Sequence, residues 1–172
     1  MRFAGEAYRA HDPRWSWSPL SGEGAALRGG RFNRRGQSAL YLSLTPMGAV
    51  REASAGFAHR LEPLLLCSYA VDCEDIVDLR DDAACAAAGV DPAALACPWA
   101  LDLAEGREPR SHAAIRRLAD GGTAGLLVPS FARGAGPADP NLVLWRWGPR
   151  PPHRVEVHDP SGRLPKNQLS WR

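Results

Sequence analysis

Residues 29–52, GGRFNRRGQSALYLSLTPMGAVRE, decide the reading of this chain. The stretch opens on Gly29-Gly30 and Arg31, turns at Gly36 and enters a short apolar run holding Tyr41. Thr45-Pro46 then starts a helix that carries Glu52: threonine suits the N-cap and proline the first helical position. An arginine, a tyrosine and a glutamate thus come from three successive elements. Together such groups can bind an anion, stack an aromatic ring and stabilise a developing cation.

Each group also has an ordinary explanation. Glycines beside an arginine suit a diphosphate, through exposed N–H groups and a bidentate guanidinium. A tight turn with a surface arginine explains the same residues, and the segment is neither a G-x-G-x-x-G fingerprint nor a Walker loop. In 38–44 (SALYLSL) alternation puts Leu40, Leu42 and Leu44 on the core face and Tyr41 and Ser43 on the other, toward solvent or a cleft. A strand tyrosine is ordinarily a packing residue. The helix is expected to reach about His59, with Val50, Ala53, Phe57 and Leu61 as its apolar stripe. Glu52 lies roughly opposite, where a glutamate is ordinarily solvated. Its helix-face neighbours Gly48, Ala55, Gly56 and His59 are small or uncharged, leaving room for a ligand or another backbone.

Outward from this stretch, 3–10 reads as a strand and 11–24 as loop, with Trp15 and Trp17 expected to cap the core. Residues 63–71 and 74–80 read as strands. Asp81 caps a helix over 82–88, and Asp91 caps a further turn through Leu95. A helical turn is placed around 99–104, and Ser111 is expected to cap a helix from His112 to about Ala119 that ends at Gly121-Gly122. Strands follow at 124–130, 141–147 and 154–158, separated by a Gly/Pro-rich loop, 131–139, flexible enough to act as a lid. The polar tail from Asp159 is expected to order only against a partner. Helices and strands mix without regular βαβ alternation, so the fold class is α+β, a mixed or antiparallel β core flanked by helices.

The 172 residues suit one domain spanning 1–172. A net charge of +2 does not by itself imply a nucleic-acid partner. The cations are twenty arginines and the single Lys166. A noncatalytic nucleic-acid-binding domain using Arg and Trp is disfavoured, because the arginines are spread along the chain and no such fold signature appears. Cys67, Cys73, Cys85 and Cys97 form no C-x-x-C pair, so no metal is expected. Reduced, mostly buried thiols in a cytoplasmic protein are. The N-terminus has no continuous apolar region, and no run approaches the ~20 residues of a membrane helix. His11, His59, His112, His153 and His158 have no metal or triad spacing and read as surface or satisfied core residues. No G-x-S-x-G elbow supports a Ser-His-Asp hydrolase.

In chain order, the pieces Tyr8-Arg9, Leu20-Ser21-Gly22-Glu23-Gly24-Ala25, Gly29-Gly30-Arg31-Phe32-Asn33, Ala39-Leu40-Tyr41-Leu42-Ser43, Ala49-Val50-Arg51-Glu52, Val128-Pro129-Ser130 and Asn141-Leu142-Val143-Leu144 resemble the RES domain. That domain is the toxin half of RES–Xre toxin–antitoxin pairs, and the resemblance covers nearly the whole chain. It implies an ADP-ribosyltransferase-like fold that consumes NAD by breaking the nicotinamide–ribose bond, with water, phosphate or a protein side chain as acceptor. The alternative within the same site is transfer of ADP-ribose to a specific host protein. Carried over by position, the catalytic residues are Arg31, Tyr41 and Glu52, and the NAD contacts are Arg31, Tyr41, Ser130, Tyr8, Arg9, Gly30 and Asn33. The resemblance also implies a partner that occludes the site, an Xre-type DNA-binding antitoxin. Trp15, Trp17 and the 131–139 loop offer contacts for it.

Overall fold

The structure, a computed structural model, describes residues 1–54 and 62–171. Its elements in chain order are β1 (Phe3–His11), α1 (Glu23–Arg28), β2 (Leu40–Ser43), α2 (Pro46–Ala53), β3 (Leu65–Cys73), β4 (Ile76–Asp78), α3 (Asp82–Ala88), α4 (Pro92–Leu95), α5 (Trp99–Ala104), α6 (Arg110–Asp120), β5 (Gly125–Pro129), β6 (Pro140–Leu144) and β7 (His153–Val157). Short 3-10 turns stand at Pro13–Trp15 and Gln168–Trp171. The seven strands form one sheet in the order β4-β5-β6-β2-β1-β3-β7. The β4–β5 pair is parallel and the others antiparallel. This is an α+β domain with a mixed sheet flanked by helices.

Strand alternation buries both faces of the sheet. Leu40 and Leu42 join Leu142, Leu144, Tyr69, Val71 and Val155 on one face, with Leu20, Trp147 and Leu164 packed over them. Leu126, Val128 and Val143 occupy the other face with Phe32, under Leu79, Cys85, Leu95 and Ile115, which come largely from the α3–α6 side. The expected inward placement of Leu40 and Leu42 holds, and Tyr41 borders the second layer. All four cysteines are buried and unpaired, as expected.

Several expected elements end differently, for local reasons. β6 stops at Leu144 because Trp145 N–H and Arg146 N–H both donate to Ala124 O (2.7 and 3.1 Å). Two residues against one form a bulge. Ser111 does not cap α6. Pro109 precedes that helix, and Ser111 lies buried in its first turn. Trp15 and Trp17 do not cap the core either, being 55% and 37% exposed. The tail folds back on its own domain: Asp159 accepts from Arg163 N–H and Leu164 N–H (2.7 and 3.0 Å), and Leu164 packs on the sheet. Asp81, Asp91 and Thr45 cap α3, α4 and α2 as expected.

α2 lands on the sheet by a face other than the expected stripe. Its buried residues are Gly48 and Ala49, whereas Ala53 is exposed. Phe57, Leu61 and His59 lie outside the described residues. Gly48 permits the approach, since a Cβ there would lie 2.2 Å from Ser43 Oγ and 2.8 Å from Thr45 Oγ1. Glu52 is one turn from Gly48 on the same face, so the close seat brings its carboxylate to the strands. Gly48→Ala is expected to cost about 1–3 kcal/mol, an overpacking penalty that outweighs the ~1 kcal/mol helix-propensity gain. A urea midpoint equal to or above that of the wild type would contradict this seat.

Beneath the opposite layer, buried His11 shares its Nε2 with the Tyr69 hydroxyl at 2.6 Å, and that hydroxyl donates to Pro19 O at 3.1 Å. Burial, with Arg9 nearby, pulls the His11 pKa down to about 4 from an ordinary 6.5. The unfolded chain therefore binds a proton that the folded chain refuses between those values, so stability falls as pH drops from about 6.5 to about 4. His11 should account for roughly 2–3 kcal/mol of that loss. Comparing unfolding of the wild type and His11→Gln at pH 7 and pH 4.5 tests this. Equal acid sensitivity in the two proteins would refute the assignment.

Candidate active site

A cleft of about 660 Å³ opens on the face of the sheet that carries Tyr41, a volume typical of small-molecule sites. Tyr8, Gly30, Arg31, Tyr41, Glu52, Trp99, Phe131 and Asn141 are among the residues lining it. The sheet register explains the convergence. Tyr8 pairs with Ser43, and Ser43 with Asn141, so one row of side chains crosses β1, β2 and β6 on a single face. Tyr41 stands two residues along β2 on that face.

Glu52 reaches this row from α2. Its Oε1 accepts from Asn141 Nδ2 (2.5 Å) and from Ser130 Oγ (2.6 Å). Ser130 therefore fixes the carboxylate. Ser130 is held in turn by Ala132 N–H (3.2 Å). Among the described residues Glu52 Oε2 has no donor, so one oxygen is oriented and the other remains for a ligand. Asp139 locks the same corner. It accepts from Thr45 Oγ1 (2.9 Å), at the head of α2, and from Arg51 Nη1 (2.5 Å), beside Glu52. Thr45 and Arg51 with Gly136 N–H hold Asp139 below the ordinary carboxylate range. The 131–139 loop, expected as a free lid, is thus tied to α2 at its last residue.

Arg31 occupies the opposite wall. Its Nη1 donates to Leu95 O and Cys97 O (both 2.8 Å), and its guanidinium lies 4.3 Å from the centre of the Phe131 ring. Ser111 Oγ donates to Arg31 O (2.6 Å). These contacts use both Nη1 hydrogens. Nε and Nη2 have no acceptor among the described residues and are donors for an anion. Burial lowers the Arg31 pKa, while Cys97, Glu52 and Tyr41 act in the opposite direction.

The glycine-rich segment works differently from a phosphate cradle. Gly29 N–H donates to Ala25 O and Gly30 N–H to Asn33 O (2.8 and 3.0 Å). Gly30 O accepts from buried His112 Nε2 (2.7 Å), so that histidine is a satisfied core residue. A Cβ at Gly30 would sit 2.6 Å from both Asn33 Oδ1 and Tyr41 OH. The glycine makes room for those two groups, and its amide has no hydrogen left for a diphosphate. Asn33, expected to contact the ligand, is buried and fully used: Oδ1 accepts from Tyr41 OH, and Nδ2 donates to Ala25 O, Arg34 O and Gln37 O. The Tyr41 hydroxyl also accepts from Phe32 N–H (3.0 Å), and burial pushes its pKa up. It remains a neutral phenol whose ring, not its oxygen, is offered to the cleft. Arg9 also lines the cleft, although its strand position faces opposite to Tyr8, and its Nη1 donates to Ser21 O (3.1 Å) and Pro19 O (3.4 Å). It braces the 19–21 loop. Tyr8 lines the cleft and donates to Glu6 Oε2 (2.9 Å).

Asn141, Phe131 and Trp99 were not singled out from sequence as site residues. Asn141 carried a readable signal, as the polar residue near the start of an otherwise apolar strand, β6. Among the described residues, no cluster of His, Cys, Asp and Glu could hold a metal ion, and no helix is long and apolar enough to cross a membrane.

A family model described as RES domain matches residues 6–167, nearly the whole chain. No curated protein matches it. The ordered motifs, the single α+β domain and the matched span agree: the chain belongs to the RES-domain family, which is associated with NAD-related toxin function.

Proposed function

We propose that this chain cleaves the nicotinamide–ribose bond of NAD and arrests growth as the toxin of a toxin–antitoxin pair. The observation that supports this reading best is the oriented Glu52 carboxylate facing Arg31 across one cleft, with the Tyr41 ring beside them. The C–N glycosidic bond breaks heterolytically. Its electron pair goes to the pyridinium nitrogen, so nicotinamide leaves neutral and needs little acid catalysis. The ribose becomes oxocarbenium-like, and the Glu52 carboxylate stabilises it through charge and through the ribose hydroxyls. Ser130 and Asn141 hold that carboxylate in place before the charge develops. Arg31 binds the diphosphate through Nε and Nη2. The Tyr41 ring packs on the nicotinamide and fixes its orientation. The acceptor oxygen then bonds to the anomeric carbon, and any proton it carries passes to bulk water.

An enzyme that drains NAD in the cytoplasm needs restraint, and an Xre-type DNA-binding antitoxin covering the cleft supplies it in this reading. Co-expression with the product of the adjacent gene should yield a complex in which NAD loss is suppressed. Mass spectrometry of the products identifies the acceptor. ADP-ribose means water, its phosphate ester means phosphate, and a mass increment on a lysate protein means transfer. NAD recovered intact after incubation with the purified chain contradicts the proposal.

A further inference from the structure

The groups around the cleft follow one another in a chemical order. Glu52 accepts from Ser130; Phe131 follows Ser130; the Arg31 guanidinium lies 4.3 Å from the Phe131 ring centre; Arg31 donates to Cys97 O; and Trp99 comes two residues later, on the same rim. Followed along these contacts, a carboxylate comes first, a guanidinium next and an indole last. NAD carries its parts in that sequence: the labile ribose bond, the diphosphate, then the adenine. We infer that Trp99 forms the adenine subsite, a step that rests on the NAD-cleaving reading of this cleft.

The position of Trp99 is fixed and its ring is uncommitted. α5 leans on the glycine-rich segment, since a Cβ at Gly29 would lie 3.1 Å from Leu103 Cδ1. Leu103 and Trp99 stand four apart and share a face of α5, so the indole is held beside Arg28 and Gly29, which also line the cleft. The other cleft aromatics are engaged. Phe32 is buried, Tyr41 is tied by its hydroxyl, Tyr8 donates to Glu6, and Phe131 carries the guanidinium and tilts against Phe32. Trp145 and Trp147 donate their indole N–H to Phe32 O and Leu20 O (2.8 and 3.0 Å). Half-buried Trp99 has no such acceptor among the described residues. A flat, partly desolvated indole with a spare N–H, beside an arginine, suits a purine: the ring stacks, and the N–H meets a ring nitrogen or a ribose oxygen.

Stacking on one base contributes enough that its loss raises KM roughly 5- to 150-fold. Nicotinamide mononucleotide, which lacks the adenylate half, gives the control. With purified protein, the ratio of kcat/KM for NAD over the mononucleotide should fall by about tenfold or more in Trp99→Ala, and Trp99→Phe should restore most of it. The loss should lie in KM, with kcat on NAD retained. A ratio equal to wild type overturns the subsite while leaving NAD cleavage intact, and so does an equal loss on both substrates, which marks a structural role. A wild-type chain that cleaves neither substrate overturns the proposed function and this inference with it.

Discussion

Glu52→Gln is expected to slow nicotinamide release from NAD by about 10²-fold or more, the scale on which preorganised electrostatic groups act. The substitution keeps the shape of the side chain and removes its charge. It also sets an amide against Ser130 Oγ and Asn141 Nδ2, both of which donate to Glu52 Oε1. The glutamine oxygen can still accept from both, so the side chain stays near its place. Because Glu52 is exposed at the cleft, folding stability should change by less than about 0.5 kcal/mol, as for other surface substitutions. The loss should therefore lie in kcat with little change in NAD affinity. Wild-type turnover in the folded variant would remove Glu52 from the chemistry.

Arg31 should show the second large effect, in two separable parts. Its Nη1 braces Leu95 O and Cys97 O, and Arg31→Ala leaves those carbonyls without this donor. Unmet acceptors in a partly buried site cost about 1–3 kcal/mol each, so a thermal shift of several degrees should accompany the change. The free Nε and Nη2 are the anion donors, and losing a charge-assisted contact should raise the NAD dissociation constant roughly 10- to 150-fold. Arg31→Lys restores a charge but not the planar fork that spans two carbonyls while addressing a third group. It should recover less than half of the lost binding free energy. Calorimetric titration of NAD into Glu52→Gln with and without Arg31→Ala isolates binding from turnover. An unchanged dissociation constant would argue against the clamp.

The sequence carried the fold through short-range signals. Period-two alternation in 38–44, capping by Thr45, Asp81 and Asp91, and the absence of βαβ alternation were enough to place most elements and the α+β class. What it did not carry depends on long-range pairing. The stripe assigned to α2 followed apolar character, whereas α2 docks through Gly48 and Ala49, because a small face can approach a strand residue such as Ser43. Trp15 and Trp17 were expected inside on hydrophobicity alone, but both are exposed, while Leu20, Trp147 and Leu164 pack against the core.

The candidate site divides in the same way. Arg31, Tyr41 and Glu52 lie within 29–52, and their convergence followed from three consecutive elements. Ser130 and Asn141 lie far along the chain, and only the β2–β6 register brings Asn141 opposite Ser43 and under Glu52. Asn33 and Gly30 looked like ligand contacts because polar and glycine residues beside an arginine suit an anion. The partners that consume their hydrogen bonds are Tyr41, Ala25, Gln37 and His112, the last of them far along the chain in α6. No local pattern announces such a network.

One assay reaches the centre of the account: free nicotinamide measured over time after the purified chain, without its antitoxin, is mixed with excess NAD. Release of many equivalents per protein molecule by the wild type, and near-background release by Glu52→Gln, is the expected result. No release from a folded wild-type chain, or equal release from both proteins, would contradict it.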